Sequence, residues 1–233
     1  MLRVVFAMLI SLCVCSPAWA VFASHVTSFG PGIDGGAEIS AYDSVSRRLF
    51  VTNSANNTLD VYDLSNADQV LTLPSISLAP FGDGPNSVAA HNGLVAVAVE
   101  ANPTQDPGQV VFFDASNSAL LNQLTVGALP DMLTFTPDGM RVLVANEGEP
   151  DDDYLIDPEG SVSVIDLGAG VAAASVTEIN FTAFNVGQPR NGELPADLRI
   201  YGPGASVAQD LEPEYIAVDP SGAVAYINFQ ENN

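Results

Sequence analysis

The sequence predicts an all-β protein, a β-propeller of which this chain supplies an N-terminal fragment of about three and a half blades. Three observations carry this. Four stretches repeat one pattern: EISAYDSVSRRLFVTNSANNTLDVYDL from Glu38, NSVAAHNGLVAVAVEANPTQDPGQVVFFD from Asn86, DMLTFTPDGMRVLVANEGE from Asp131 and EYIAVDPSGAVAYINFQEN from Glu214. Each opens with a polar residue and a short apolar run, turns at Asp, Asn, Pro or Gly, and enters a β-rich strand that ends in Asn, Gln or Glu. The first three then close on an alternating strand ending at Asp63, Asp114 and Asp166, spaced by 51 and 52 residues. A β unit recurring every ~40–50 residues cannot bury its faces alone and must stack on its neighbours.

Residues 1–20 read as a cleaved signal peptide. Arg3 supplies the positive start, Val4 to Val14 an apolar run, and Ala18-Trp19-Ala20 the small-residue cleavage site, with a second acceptable cut after Ala23. The run is shorter than the ~20 residues a membrane-spanning helix needs. Cys13 and Cys15 lack the small preceding residue of a lipoprotein site and leave with the leader, so the mature chain is without cysteine and without disulfides. Residues 21–233 then form one propeller domain, incomplete at its C-terminal end.

Unit one spans about residues 35–83. Leu49, Val51, Leu59 and Val61 alternate with polar or aromatic neighbours, Asn56-Asn57 links the strands, and the segment after Asn66 forms the outermost strand and the crossover. Unit two, residues 84–128, has a hairpin at His91-Asn92-Gly93, and its Val-Ala alternation from Val95 suits an inner strand squeezed near the axis. Unit three, residues 129–167, turns at Thr136-Pro137-Asp138-Gly139 and carries a long acidic loop before SVSVIDL. Residues 168–210 break the spacing and read as an insertion, either a decorative loop or part of a binding face. Unit four, residues 211–233, turns at Asp219-Pro220-Ser221-Gly222 and reaches AVAYINF, where the chain ends inside a blade; this predicts a longer parent protein.

Four stretches, GPNSVAAHNGLVAVAVEA, VGALPDMLTFTPDG, VLVANEGEPDDDYLIDPEGSVSVIDL and GPGASVAQDLEPEYIAV, resemble the N-terminal part of the choice-of-anchor I family. The resemblance implies an exported propeller of about seven blades, attached to the cell envelope by C-terminal signals that differ between members. Relatives carry labels as unlike as alkaline phosphatase and mesenchyme-specific cell surface glycoprotein.

Charge narrows the function. The chain has 28 acidic residues against 6 arginines and no lysine, a net charge of −22. Such a surface repels nucleic acid and anionic lipid, and nothing after the leader would span a membrane. Nucleophilic hydrolysis lacks its parts: no Gly-x-Ser-x-Gly elbow occurs, His25 lies near the mature N-terminus, and His91 sits on a turn. Asn56-Asn57-Thr58 and Asn180-Phe181-Thr182 match the glycosylation sequon, which matters only in a eukaryotic secretory route.

Carboxylates are the candidates. Glu147, Glu149, Asp151, Asp152, Asp153, Asp157 and Glu159 place seven acids in thirteen residues of a Gly/Pro-bent loop, the hard oxygen donors that Ca²⁺ takes, or else a solvated acidic loop. Superposing the repeats gives a second set. Glu38, Asn86, Asp131 and Glu214 precede each first apolar run; Asn53, Glu100, Glu147 and Gln230 or Glu231 follow each second strand. Together they predict an acidic channel mouth, or else polar caps on strand ends. The strand-closing Asp63, Asp114 and Asp166 read as turn formers. The leading expectation is an exported surface or matrix protein that binds an unidentified ligand with structural Ca²⁺; the alternative is a metal-dependent phosphoric-ester hydrolase.

Overall fold

A computed structural model describes residues 36–66, 68–229, 231 and 232, together with 25, 28–30 and 32–34; the expected signal peptide lies outside them. The first sheet contains β1 (Ser40–Asp43), β2 (Arg48–Asn53), β3 (Thr58–Asp63) and β4 (Leu71–Ser77). The second contains β5 (Gly84–His91), β6 (Leu94–Glu100), β7 (Pro107–Asp114) and β8 (Leu120–Ala128). The third contains β9 (Pro130–Phe135), β10 (Arg141–Asn146), β11 (Ser161–Asp166) and β12 (Ser175–Asn180), and β13 (Pro213–Val218) pairs with β14 (Ala225–Phe229) in the fourth. All pairings are antiparallel between consecutive strands, so each sheet is a meander. The first strands lie side by side, β1 against β5, β5 against β9 and β9 against β13. The protein is therefore all-β, with consecutive small sheets set face to face about a common line of first strands.

Two expectations are corrected here. The Val-Ala strand β6 is second from the axis, with β5 innermost. Its small residues serve sheet-to-sheet packing: Val95, Val97 and Val99 face the first sheet with Phe50, Leu59 and Phe113, while Ala96 and Ala98 face the third with Phe112, Val142 and Val144. A strand covered on both faces needs apolar side chains at every position. The second correction concerns β12, which falls within the stretch read as insertion. It completes the third sheet beside β11, so the irregular excursion begins only after Asn180. Residues 181–210 carry short 3₁₀ turns and return through one helical turn, α1 (Val207–Asp210), capped by Ser206 and Gln209.

The turns behave as their residues require. Asn57, Asn92 and Gly93 have φ of 50°, 48° and 86°, the left-handed values that Asn and Gly tolerate. Asp63, Asp114 and Asp166 accept the N–H of Ser65, Ser116 and Gly168 at 2.7, 2.8 and 2.8 Å, one Asx turn repeated in three sheets. Asp43 does more. Its carboxylate accepts Ser46 N–H at 2.7 Å and, across the sheet boundary, Gly93 N–H at 2.8 Å. Because Asp43 is only 1% exposed, Asp43→Ala strands these donors and is expected to cost about 1–2 kcal/mol in urea unfolding, with Asp43→Asn recovering part of it.

Candidate functional site: an acidic axial mouth

The polar residue that opens each repeat stands at one end of the line of first strands, and in the second, third and fourth sheets the local cause is proline. Pro85, Pro130 and Pro213 each precede it and have no N–H to give the ladder. The register slips at that point: Pro85 pairs with Val99 and Ser87 with Ala98, leaving Asn86 extra. Likewise Pro130 pairs with Asn146 and Met132 with Ala145, leaving Asp131, and Pro213 pairs with Phe229 and Tyr215 with Asn228, leaving Glu214. A bulge re-aims the side chain of its extra residue.

In the second and third sheets the extra residue stands near the end of the second strand of its own sheet. Asn86 Nδ2 donates to Glu100 at 3.1 Å, and also reaches the Pro130 carbonyl of the next sheet at 3.4 Å. In the first sheet Ser54 Oγ donates to Glu38 at 2.6 Å and contacts the Pro85 carbonyl at 3.3 Å. Ser54, then, occupies the position expected of Asn53, whose buried amide instead donates to Asp60 at 2.9 Å. In the third sheet the matching residues are both acids, Asp131 and Glu147, and Glu214 of the fourth acts electrostatically on both. The matching position in the fourth sheet is 230, outside the described residues. Glu231 accepts from Tyr201 at 3.4 Å and bears electrostatically on Glu212.

The electrostatic result is strong. Burial, with Asp131, Glu149, Glu212 and Glu214 close by, pushes the Glu147 carboxyl up to about 8. Burial, followed by Glu214, Glu100 and Glu149, raises Asp131 to about 6. Burial also raises Glu100, against the opposing hydrogen bond from Asn86. Glu214 Oε2 is buried with no hydrogen-bond partner. Beside the mouth, a cavity of about 340 Å³ runs along β1, β5 and β9 to Tyr215 of β13.

The acidic loop does not act as one cluster. Asp151 is taken up by the turn, accepting Leu155 N–H at 2.6 Å and Ile156 N–H at 3.1 Å. Asp152, Asp153 and Glu159 are exposed, and Asp157 faces Asp210. Glu149 bears on both the mouth and Glu212, which burial, then Asp210, Glu149, Glu231 and Asp157, raise to about 7. Glu212 and Asp210 were not anticipated from the sequence; the Pro213-Glu214 repeat adjoining them was the available signal. Among the described residues, no three acidic, histidine or cysteine side chains are gathered as a metal-binding set.

His91 stacks on Phe135 at 5.6 Å between ring centres, at the far end of β5 from Asn86, and so is no partner for these acids. No helix of the described residues is long and apolar enough to cross a membrane.

Among solved structures, the chain is similar to a putative 6-phosphogluconolactonase from Bacteroides uniformis, with TM-score 0.53 and 12% identity over 84% of this chain and 48% of that one. It is also similar to a protein from Lactobacillus plantarum, with TM-score 0.52 and 14% identity over 82% of this chain and 50% of that one. Identities this low speak to the fold alone, and the chain spans about half the length of each. No curated protein matches it. The model of the choice-of-anchor I domain matches residues 38–233, the whole of the sheet-forming region. The chain belongs to the choice-of-anchor I family.

Proposed function

We propose that this chain is the front of an exported propeller of about seven blades that works as a ligand-binding module at the cell surface, with its acidic axial mouth as the binding end. Family membership and the propeller-type arrangement support export and architecture. The observation that carries the binding role is that Asp131 and Glu147 of the third sheet and Glu214 of the fourth stand at the same end of the first strands, with Glu214 acting electrostatically on both of the others. Ca²⁺ fits this mouth better than the loop. Glu214 presents a buried oxygen without a partner, whereas Asp151 in the loop is already occupied by backbone N–H groups. Asp131, Glu147 and Glu214 would hold the ion, and the ion would supply the charge that favours the ionised forms of Asp131 and Glu147. These carboxylates are not yet gathered around one point, so binding entails their movement.

Calorimetric titration of Ca²⁺ into the full-length protein at pH 7.5 tests this. Glu147 titrates at about 8, so Ca²⁺ uptake is expected to release close to one proton, read as an enthalpy that differs between buffers of different ionisation heat. Glu147→Gln should abolish the release and weaken binding at least tenfold. Identical enthalpies in all buffers, or unchanged binding by the variant, sink the proposal. The phosphoric-ester hydrolase reading finds no supporting feature at this mouth. Chelator-sensitive turnover of p-nitrophenyl phosphate that is lost in Glu147→Gln would reinstate it.

A further inference from the structure

The mouth leaves one surface feature unused. Tyr154, Leu155 and Ile156, at the tip of the acidic loop, are 44%, 81% and 54% exposed, the one run of three large apolar side chains set out in solvent among the described residues. They do not hang on a slack segment. Asp151 N–H donates to the Ile156 carbonyl at 2.9 Å, and Tyr154 N–H to the Asp151 carbonyl at 2.9 Å. The Asp151 carboxylate takes the N–H groups of Leu155 and Ile156. Tyr154 itself sits at φ 54°, a left-handed conformation that a tyrosine rarely adopts. The stem is tied on both sides: Gly148 N–H reaches the Ala128 carbonyl at 3.2 Å, and Gln209 donates to the Asp157 carbonyl at 2.7 Å.

A pre-shaped turn that shows apolar side chains to water has the form of a recognition element, since the ordering entropy is spent before binding. The chemistry around it selects the partner. Asp152 and Asp153 just before the tip and Glu159 just after it are exposed acids, on a chain of net charge −22. Like charge opposes docking of a second copy, and acidic flanks repel an anionic lipid surface. We propose that Tyr154, Leu155 and Ile156 are the apolar anchor of a protein-binding loop, and that its partner is a protein surface whose apolar pocket is rimmed by lysine or arginine. This holds whether or not the mouth takes Ca²⁺.

The probe is a library of random dodecapeptides displayed on phage, selected on the immobilised full-length protein. Selected peptides are expected to combine apolar residues with Lys or Arg. They should lose at least tenfold in affinity against Leu155→Ser/Ile156→Ser, and weaken several-fold as NaCl rises from ~50 to ~300 mM. Asp151→Ala keeps the three side chains but dissolves their turn, so it should weaken the same peptides about threefold through faster dissociation. Leu155 and Ile156 are exposed, so the double variant should keep the wild-type melting temperature and Ca²⁺ titration, which separates failure here from failure at the mouth. The proposal is overturned if no loop-dependent peptide is enriched, if the peptides lack basic residues, or if they bind the double variant as well. Loop-dependent sedimentation with phosphatidylcholine vesicles, or a loop-dependent dimer in ultracentrifugation, overturns it in favour of lipid or self-association.

Discussion

Raising the pH from 5.5 to 8.5 is expected to lower the melting temperature by about 5 °C, and Glu147→Gln to remove most of that drop. The sign follows from linkage. Glu147 has its ordinary value of 4.5 when unfolded and about 8 when folded, so between these pH values the folded chain keeps a proton that the unfolded chain has lost. Stability is fully present below 4.5 and is lost as pH rises through 8. Asp131 adds to the loss between 3.8 and about 6, and Glu212 between 4.5 and about 7. At face value the part of the Glu147 shift between pH 5.5 and about 8 would be worth about 3.5 kcal/mol at about 1.4 kcal/mol per pH unit. Partial solvent screening and sharing of protons among the cluster reduce this to about 2 kcal/mol, and each kcal/mol moves the melting of a domain this size by roughly 2–4 °C. The lowered carboxyls of Asp43, Asp63, Asp114, Asp138 and Asp219 titrate below this window and leave the comparison clean. Glu159→Gln, an exposed acid of the same loop, should leave the slope unchanged. Equal slopes in wild type and Glu147→Gln would show that the mouth is more solvated than its geometry implies. Ca²⁺ should reverse the trend, because it stabilises the ionised mouth that high pH creates.

Gly160→Ala should cost about 2–3 kcal/mol in urea unfolding, at the upper end of what overpacking usually does. Gly160 lies where the acidic loop re-enters β11. A methyl group there would overlap the Leu211 carbonyl oxygen and come within 2.8 Å of Pro213 Cδ and 3.0 Å of the Glu147 carbonyl oxygen. None of these atoms belongs to a side chain that can swing away. The relief must therefore come from separating the loop stem from the approach to β13, which moves Glu147 away from Glu212 and Glu214. The same substitution should accordingly flatten the pH dependence described above, a coupled readout that simple destabilisation elsewhere would not give. Gly192→Ala is the contrast. A methyl group there meets nothing within 4 Å, so its effect should be neutral or slightly stabilising. A Gly160→Ala protein as stable as wild type would mean that the loop and β13 can part without loss.

The elements legible in the sequence are those whose causes are local. Alternation at Leu49, Val51, Leu59 and Val61 and the short apolar runs Val95 to Val99 and Val142 to Val144, with Asn-Gly and Pro-Asp-Gly turns between strands, specify hairpins without reference to the rest of the chain. Recurrence of the pattern then specifies that the hairpins stack. Strand β12 escaped notice because it is an outer strand exposed along nearly its whole length, so no apolar alternation marks it. The order of strands from the axis was also beyond reach, since a strand covered on both faces has the same composition wherever it stands. Alignment of the repeats picked out Glu38, Asn86, Glu100, Asp131, Glu147 and Glu214, which the structure places at one end of the line of first strands. The replacement of Asn53 by Ser54 falls in the first sheet, where the first and second strands pair without the register shift of the other three. Only the tertiary structure divides the seven loop acids among a turn, the solvent, the mouth and the neighbourhood of Asp210. Charge density is a property of sequence, but whether carboxylates share one field depends on which backbones approach. Here that is decided by bulges at Pro130 and Pro213, and by a glycine at 160 small enough to let two segments touch.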